Sequence, residues 1–155
     1  MSIVDSEVDF VSGLNQKRVW DHVTNADHAQ VSINFKDGLQ AIFINSDLAA
    51  ARKPKFYVLG TKGALIGDWD ESAGGRVADL PAIITLHRAD GSSDVIGHIA
   101  QAPHSFYASL VSYLHDATPM SVVAEQSRDV VAIMQAAEES ALANGKPVTP
   151  LLLRA

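Results

Sequence analysis

Residues 29 to 36 alternate without a break: Ala29, Val31, Ile33 and Phe35 are apolar, while Gln30, Ser32, Asn34 and Lys36 are polar. A period of two puts the apolar set on one face of a β-strand, because successive side chains leave the pleat on opposite sides. Asp37-Gly38 follows directly. The pair is a strong hairpin signal, since both residue types tolerate the positive φ that tight turns between strands use. The returning run, Leu39 to Ser46, is apolar at Leu39, Ala41 and Phe43 on one face and at Ile42 and Ile44 on the other. A strand apolar on both sides is expected in the interior of a sheet, covered twice. An antiparallel hairpin therefore sits at the centre of the fold, and the rest of the chain must cover it.

Other β-prone runs surround this hairpin. Val8 to Leu14 and Lys17 to Val23 read as two short strands joined near Gly13 and Asn15. Phe56 to Leu59 pairs with Ala64 to Trp69 through the turn Gly60–Gly63, and Gly74-Gly75 marks a bend. Ala82 to Arg88 and Ser93 to Ile99 form a further pair through Ala89-Asp90-Gly91. Ala49 to Pro54 interrupts the pattern as a loop or a short turn of helix.

The last third is helical. Pro103 opens a helix with a stripe of Phe106, Leu110 and Leu114, widened by Tyr107 and Val111, and Pro119 closes it. From Ala124 a second, longer helix carries Val130, Ile133, Met134, Ala137 and Ala141 at three-and-four spacing, the mark of one apolar face. Asn144-Gly145 supplies a left-handed stop and Pro147 forbids further helix. Strands in a run followed by helices in a run predict an α+β fold. The expected form is a large, mostly antiparallel sheet with helices packed on one face and the other face available for homodimerisation. All 155 residues fit one domain, spanning 1–155.

Composition narrows the class. The formal net charge is −6 and the charges are dispersed, which removes the basic patch that nucleic-acid binding needs. Cysteine is absent, so neither disulfides nor thiolate metal sites are available. No apolar run reaches the roughly 18 residues of a membrane span. The start MSIVDSEVDF lacks the features of a signal peptide, and a cytoplasmic protein is expected.

Several segments together resemble the Gfo/Idh/MocA oxidoreductases, two-domain nicotinamide-dependent enzymes. AEQSRDVVAIMQAAEESALANGKPVTP, residues 124–150, is similar to the family's closing helix. DHAQVSINFKDGLQAIFINS, residues 27–46, is similar to its central hairpin, FYVLGTKGALIGD, residues 56–68, to the next one, and SFYASLVSYLHDATPM to the helix before the last. Their order implies a C-terminal substrate and oligomerisation domain. Family members begin with a Rossmann domain whose Gly-x-Gly-x-x-Gly turn cradles the cofactor pyrophosphate. That triplet is absent from this chain, as is the family's Glu-Lys-Pro motif; Arg52-Lys53-Pro54 is only an echo of it in another element. The resemblance implies a parent enzyme that transfers hydride between NAD or NADP and a sugar, polyol or related compound. It also implies that this chain binds no cofactor and is inactive by itself, its missing partner being the Rossmann half.

The residues offer few other centres. His22 and His28, with Asp21 and Asp27, flank a turn and read as solvated turn residues rather than metal ligands. His98 and His104 flank the entry to the first helix, and His115 reads as a favourable charge at its C-terminal end. His87 reads as a sheet residue, and Asp79 with His87 is spaced too widely to share a helical face. Asp68, Asp70 and Glu71 around Trp69 could suggest sugar binding or hydrolysis, but such acids beside a Trp read as an ordinary hairpin end. No catalytic, cofactor-binding or metal-binding residue is expected. Arg52 and Lys53, a basic loop after a central strand, are the candidate substrate contacts, facing the anionic or polyol end of a substrate. The alternative is a stand-alone dimeric binding or scaffold module with the same sheet and no redox chemistry.

Overall fold

The computed structural model describes residues 4, 6–76, 80–97, 104–120 and 122–153. The strands are β1 (Val8–Gln16), β2 (His28–Phe35), β3 (Gln40–Ser46), β4 (Phe56–Gly60), β5 (Gly63–Trp69), β6 (Ala82–Arg88) and β7 (Ser93–Ile96). The helices are α1 (Ser105–Asp116) and α2 (Ala124–Leu142). Every strand pairing is antiparallel, in one sheet ordered β1-β2-β3 and another ordered β4-β5-β6-β7, so the fold is α+β and mostly sheet. The chain divides into two compact units, residues 1–49 with 106–155, and residues 50–105. His98, Asp79, the helix opening at Pro103 and the end of the strand expected to reach Ile99 lie outside the described residues.

In the first unit the hairpin forms where the alternation places it. Phe35 N–H donates to the Leu39 carbonyl at 3.0 Å and Gly38 N–H to the Phe35 carbonyl at 3.0 Å. Gly38 has φ +87°, whereas Asp37 keeps a negative φ. The turn is thus a three-residue connection ending in a left-handed glycine, not a two-residue turn with both positions left-handed. Arg88 to Ser92 repeats this geometry in the second unit, with Gly91 at φ +87°.

The core of the first unit is made by small residues. Val11, Ala136 and Ala137 are buried, with Val8, Val31, Ile33, Ile133 and Val148 packed against them. A side chain at Gly13 would place its Cβ 2.0 Å from the Ala137 carbonyl oxygen. Glycine on β1 and alanine on α2 therefore let helix and strand approach more closely than any larger pair could. Ser140 is fully buried in the same contact. Its Oγ accepts the Gly13 N–H at 2.9 Å and donates to the Lys146 carbonyl at 2.6 Å. Beyond α2, Val148 and Val11 exchange two backbone hydrogen bonds of 2.9 Å.

Four expectations need correction. The buried face of α2 centres on Ala136, Ala137 and Ser140, while Val130 and Met134 stand 56% and 65% exposed. Hydropathy favours large residues, but the close approach to Gly13 selects small ones. Secondly, Lys17 to Val23 is a loop and not a strand. The Asp27 carboxylate, fully buried, takes up the backbone donors that a strand partner would have used. It accepts from Arg18 N–H at 2.8 and 3.0 Å, from Val19 N–H at 2.7 Å and from Trp20 N–H at 3.1 Å.

Thirdly, β3 is an edge strand in its sheet, paired with β2 alone, and Phe43 and Ile42 are exposed. Its two-sided apolar pattern does not mark an interior position. Cross-strand partners share a face. Phe43 therefore shares a face with Val31, which packs on the core under α2, and Ile42 and Ile44 lie on the opposite face with Ser32 and Gln30. Lastly, α1 buries none of its residues, and the stripe members Phe106, Tyr107, Val111 and Leu114 are exposed.

Candidate functional site

The second unit carries the residues of greatest chemical interest. The β4–β5 ladder pairs Phe56 with Gly67 and Gly60 with Gly63, so the chain just before β4 runs back beside the end of β5. Trp69 closes β5. Asp70 then caps a short 3-10 turn, Glu71–Ala73, its carboxylate accepting the Ser72 N–H at 3.0 Å. The cap turns Glu71 toward Arg52, whose Nη1 lies 3.1 Å from Glu71 Oε1.

Trp69 gathers the basic loop around its indole. Its Nε1–H donates to the Lys53 carbonyl at 2.7 Å. The Arg52 guanidinium lies 5.6 Å and the Lys55 ammonium 4.5 Å from a Trp69 ring centroid, both within reach of the ring's negative face. Lys55 also donates to the carbonyl of Leu80, a buried residue. Ala50, Arg52, Asp68, Trp69 and Glu71 line an open groove of about 600 Å³. Donors, acceptors and an aromatic face together suit a ligand bearing several oxygens.

Arg52 and the acids around Trp69, which the sequence presents as separate features, thus form one cluster. Lys53 joins it through its carbonyl, and its ammonium has no hydrogen-bond or ion-pair partner among the described residues. Lys55 and the pivotal place of Trp69 were missed. The signal was available: extending the Gly60–Gly63 register along the hairpin brings residues 53–55 alongside residues 68–70.

The remaining candidates disperse. Asp27 is committed to loop amides; the His22 ring lies 6.0 Å from that of Trp20, tilted by 44°; His28 is at the start of β2, opposite Gln16 and Ser46. Among the described residues no group of three or more His, Asp and Glu converges as a metal would require. His87 is exposed in β6 between Ala64 and Ser93. His115 lies 3.9 Å from the Asp116 carboxylate in the last turn of α1. None of the described helices is long and apolar enough to cross a membrane.

No family model and no curated protein matches the chain. Among solved structures it is similar to a Klebsiella pneumoniae protein assigned as an oxidoreductase, with TM-score 0.76 and 20% identity over 96% of this chain and 46% of that one. An NAD-binding protein from Listeria innocua gives TM-score 0.70 and 25% identity, covering 95% and 42% of the two chains. The aldose-aldose oxidoreductase of Caulobacter crescentus, solved with glycerol, gives TM-score 0.70 and 16% identity, covering 94% and 42%. Two of these three neighbours are named as oxidoreductases and the other as NAD-binding. The chain spans less than half the length of each of the three, and it has the fold of that part of them.

Proposed function

We propose that the chain is the C-terminal substrate-binding and oligomerisation domain of an NAD(P)-dependent oxidoreductase acting on a sugar, polyol or related compound. The observation that carries this reading is the fold likeness, which covers nearly all of this chain and under half of each of the three neighbours. The names of two neighbours support the cofactor and substrate classes: one is NAD-binding, and another acts between aldoses. In the parent enzyme a nicotinamide cofactor, held outside this chain, would supply the hydride chemistry.

The described residues of this chain do not fit the cofactor's pyrophosphate. Such a cradle joins a glycine-rich turn to a helix N-terminus whose N–H groups are open to the anion. Helix α2 instead follows Val123, in extended conformation, whose own N–H is bonded to Gln126 Oε1 at 3.3 Å. Helix α1 follows His104. The cofactor therefore belongs to a separate Rossmann half, and 1–155 acts as one domain beside it, inactive by itself. The domain's own share of the work is to bind and orient substrate at the loop of Arg52 and Lys53, next to the Trp69 groove.

Titration calorimetry tests the division of labour. NADH and NADPH should give no heat of binding with this chain, and a longer polypeptide or complex carrying it should give a saturable isotherm. Micromolar affinity of the chain alone for either nucleotide would overturn the proposal.

A further inference from the structure

The basic loop is held at one point. Trp69 takes the Lys53 carbonyl on its indole N–H and lies within cation–π reach of the Arg52 and Lys55 side chains. Each of these two cations is tied a second time, Arg52 to Glu71 and Lys55 to the Leu80 carbonyl. Glu71 is in turn set by the Asp70 cap, and Leu80 is buried. Four residues from two separate stretches of chain, Trp69, Asp70, Glu71 and Leu80, thus lock residues 52–55 to the end of β5.

The neighbouring cations are left in different states. Arg52 already has a carboxylate and an aromatic face, so a substrate oxygen would have to compete with Glu71 for its donors. Lys53 is fixed at its main chain, yet its ammonium has no hydrogen-bond or ion-pair partner among the described residues. An ammonium carries three donors and no acceptor. A tethered backbone lowers the freedom it loses on meeting a ligand.

We infer that Trp69 is the positioning residue of this loop, and that Lys53 rather than Arg52 supplies the donor that meets substrate oxygen. The inference rests on reading the chain as a substrate domain. Arg52 belongs to the brace, and the group presented is an ammonium suited to a carboxylate or hydroxyl oxygen at one end of a small polar molecule.

Nuclear magnetic resonance on the whole chain tests both halves. Backbone order parameters of residues 50–55 should be near about 0.85, as in rigid backbone, and fall below about 0.6 in Trp69→Leu. Trp69→Phe, which keeps a ring but removes the N–H, should give an intermediate loss with the melting midpoint close to that of the parent chain. Unchanged order in both variants would overturn the brace. D-gluconate, which offers a carboxylate and a polyol, serves as the probe at millimolar concentrations. Its chemical-shift changes should centre on residues 50–55, vanish in Lys53→Met, and weaken in Arg52→Gln only as far as the order parameters of the loop fall. Loss in Arg52→Gln with retention in Lys53→Met would overturn the assignment of Lys53, and so would no response in the wild-type chain. A nucleotide-binding result for the chain alone is a separate failure, that of the domain reading itself.

Discussion

At the scale of single residues, two positions govern the first unit. Gly13 has no room for a methyl group, because its Cβ would meet the Ala137 carbonyl oxygen at 2.0 Å. Gly13→Ala should therefore push α2 from β1 and cost about 1–3 kcal/mol, the range for overpacked cores, measured as a lower midpoint in urea unfolding. Asp27 is the second position. Burial raises its carboxyl pKa, but the backbone N–H groups of Val19, Trp20 and Arg18 outweigh burial and hold it below the usual 3.8. A folded-state pKa below the unfolded one gives stability that is present above about pH 3.8 and is lost as pH falls through the lowered value. Asp27→Asn should lower stability at neutral pH and remove this part of the acid sensitivity. Chemical denaturation of both proteins across the acid range checks it, and identical pH slopes would refute it. In the sequence Asp27 reads as a solvated turn residue. Its role was not legible, because a carboxylate that caps loop amides is spelled like a solvated one.

At the scale of elements, turns and helix ends were the most legible features, since they depend on local backbone sterics. Both Asp-Gly turns fall where the letters put them, and α2 stops at Ala143, with Asn144 and Gly145 in left-handed conformation. The buried face of α2 was half legible. Ile133, Ala137 and Ala141 were assigned to it, but Ala136 and Ser140 were overlooked because neither stands out in hydropathy. Ser140 links three elements through Gly13 and Lys146. Ser140→Ala should leave the buried Gly13 N–H without an acceptor and cost about 1–3 kcal/mol. Hydrogen exchange should show faster exchange of the Gly13 amide, and no change there would argue against the link. The substrate loop follows the same division. Arg52 and Lys53 were visible as a basic pair, while their attachment to Trp69 depends on hairpin register.

At the scale of the whole molecule, the open face of the first sheet bears on oligomerisation. The side away from α2 combines Leu14, Ile42 and Ile44 with a polar ladder in which Gln40 donates to Ser32 at 3.2 Å and to Asn34 at 3.1 Å. An apolar surface with aligned donors and acceptors is suited to self-association across a two-fold axis. The chain is expected to sediment as a dimer of its 16.6 kDa mass, and Ile42→Glu as a monomer. A wild-type monomer at micromolar concentration would contradict the proposed homodimer.

The sequence by itself determined the α+β class, the antiparallel hairpins, the helix stops and the resemblance to one part of an oxidoreductase. These follow from side-chain periodicity and backbone sterics, which act over a few residues. Tertiary structure alone decided that β3 is an edge strand in its sheet, that residues 17–23 are a loop and that small residues form the core. It also decided that Trp69 holds the basic loop. Each of these depends on which distant groups share a hydrogen bond or a close approach, and pairings of that kind leave no period in the chain.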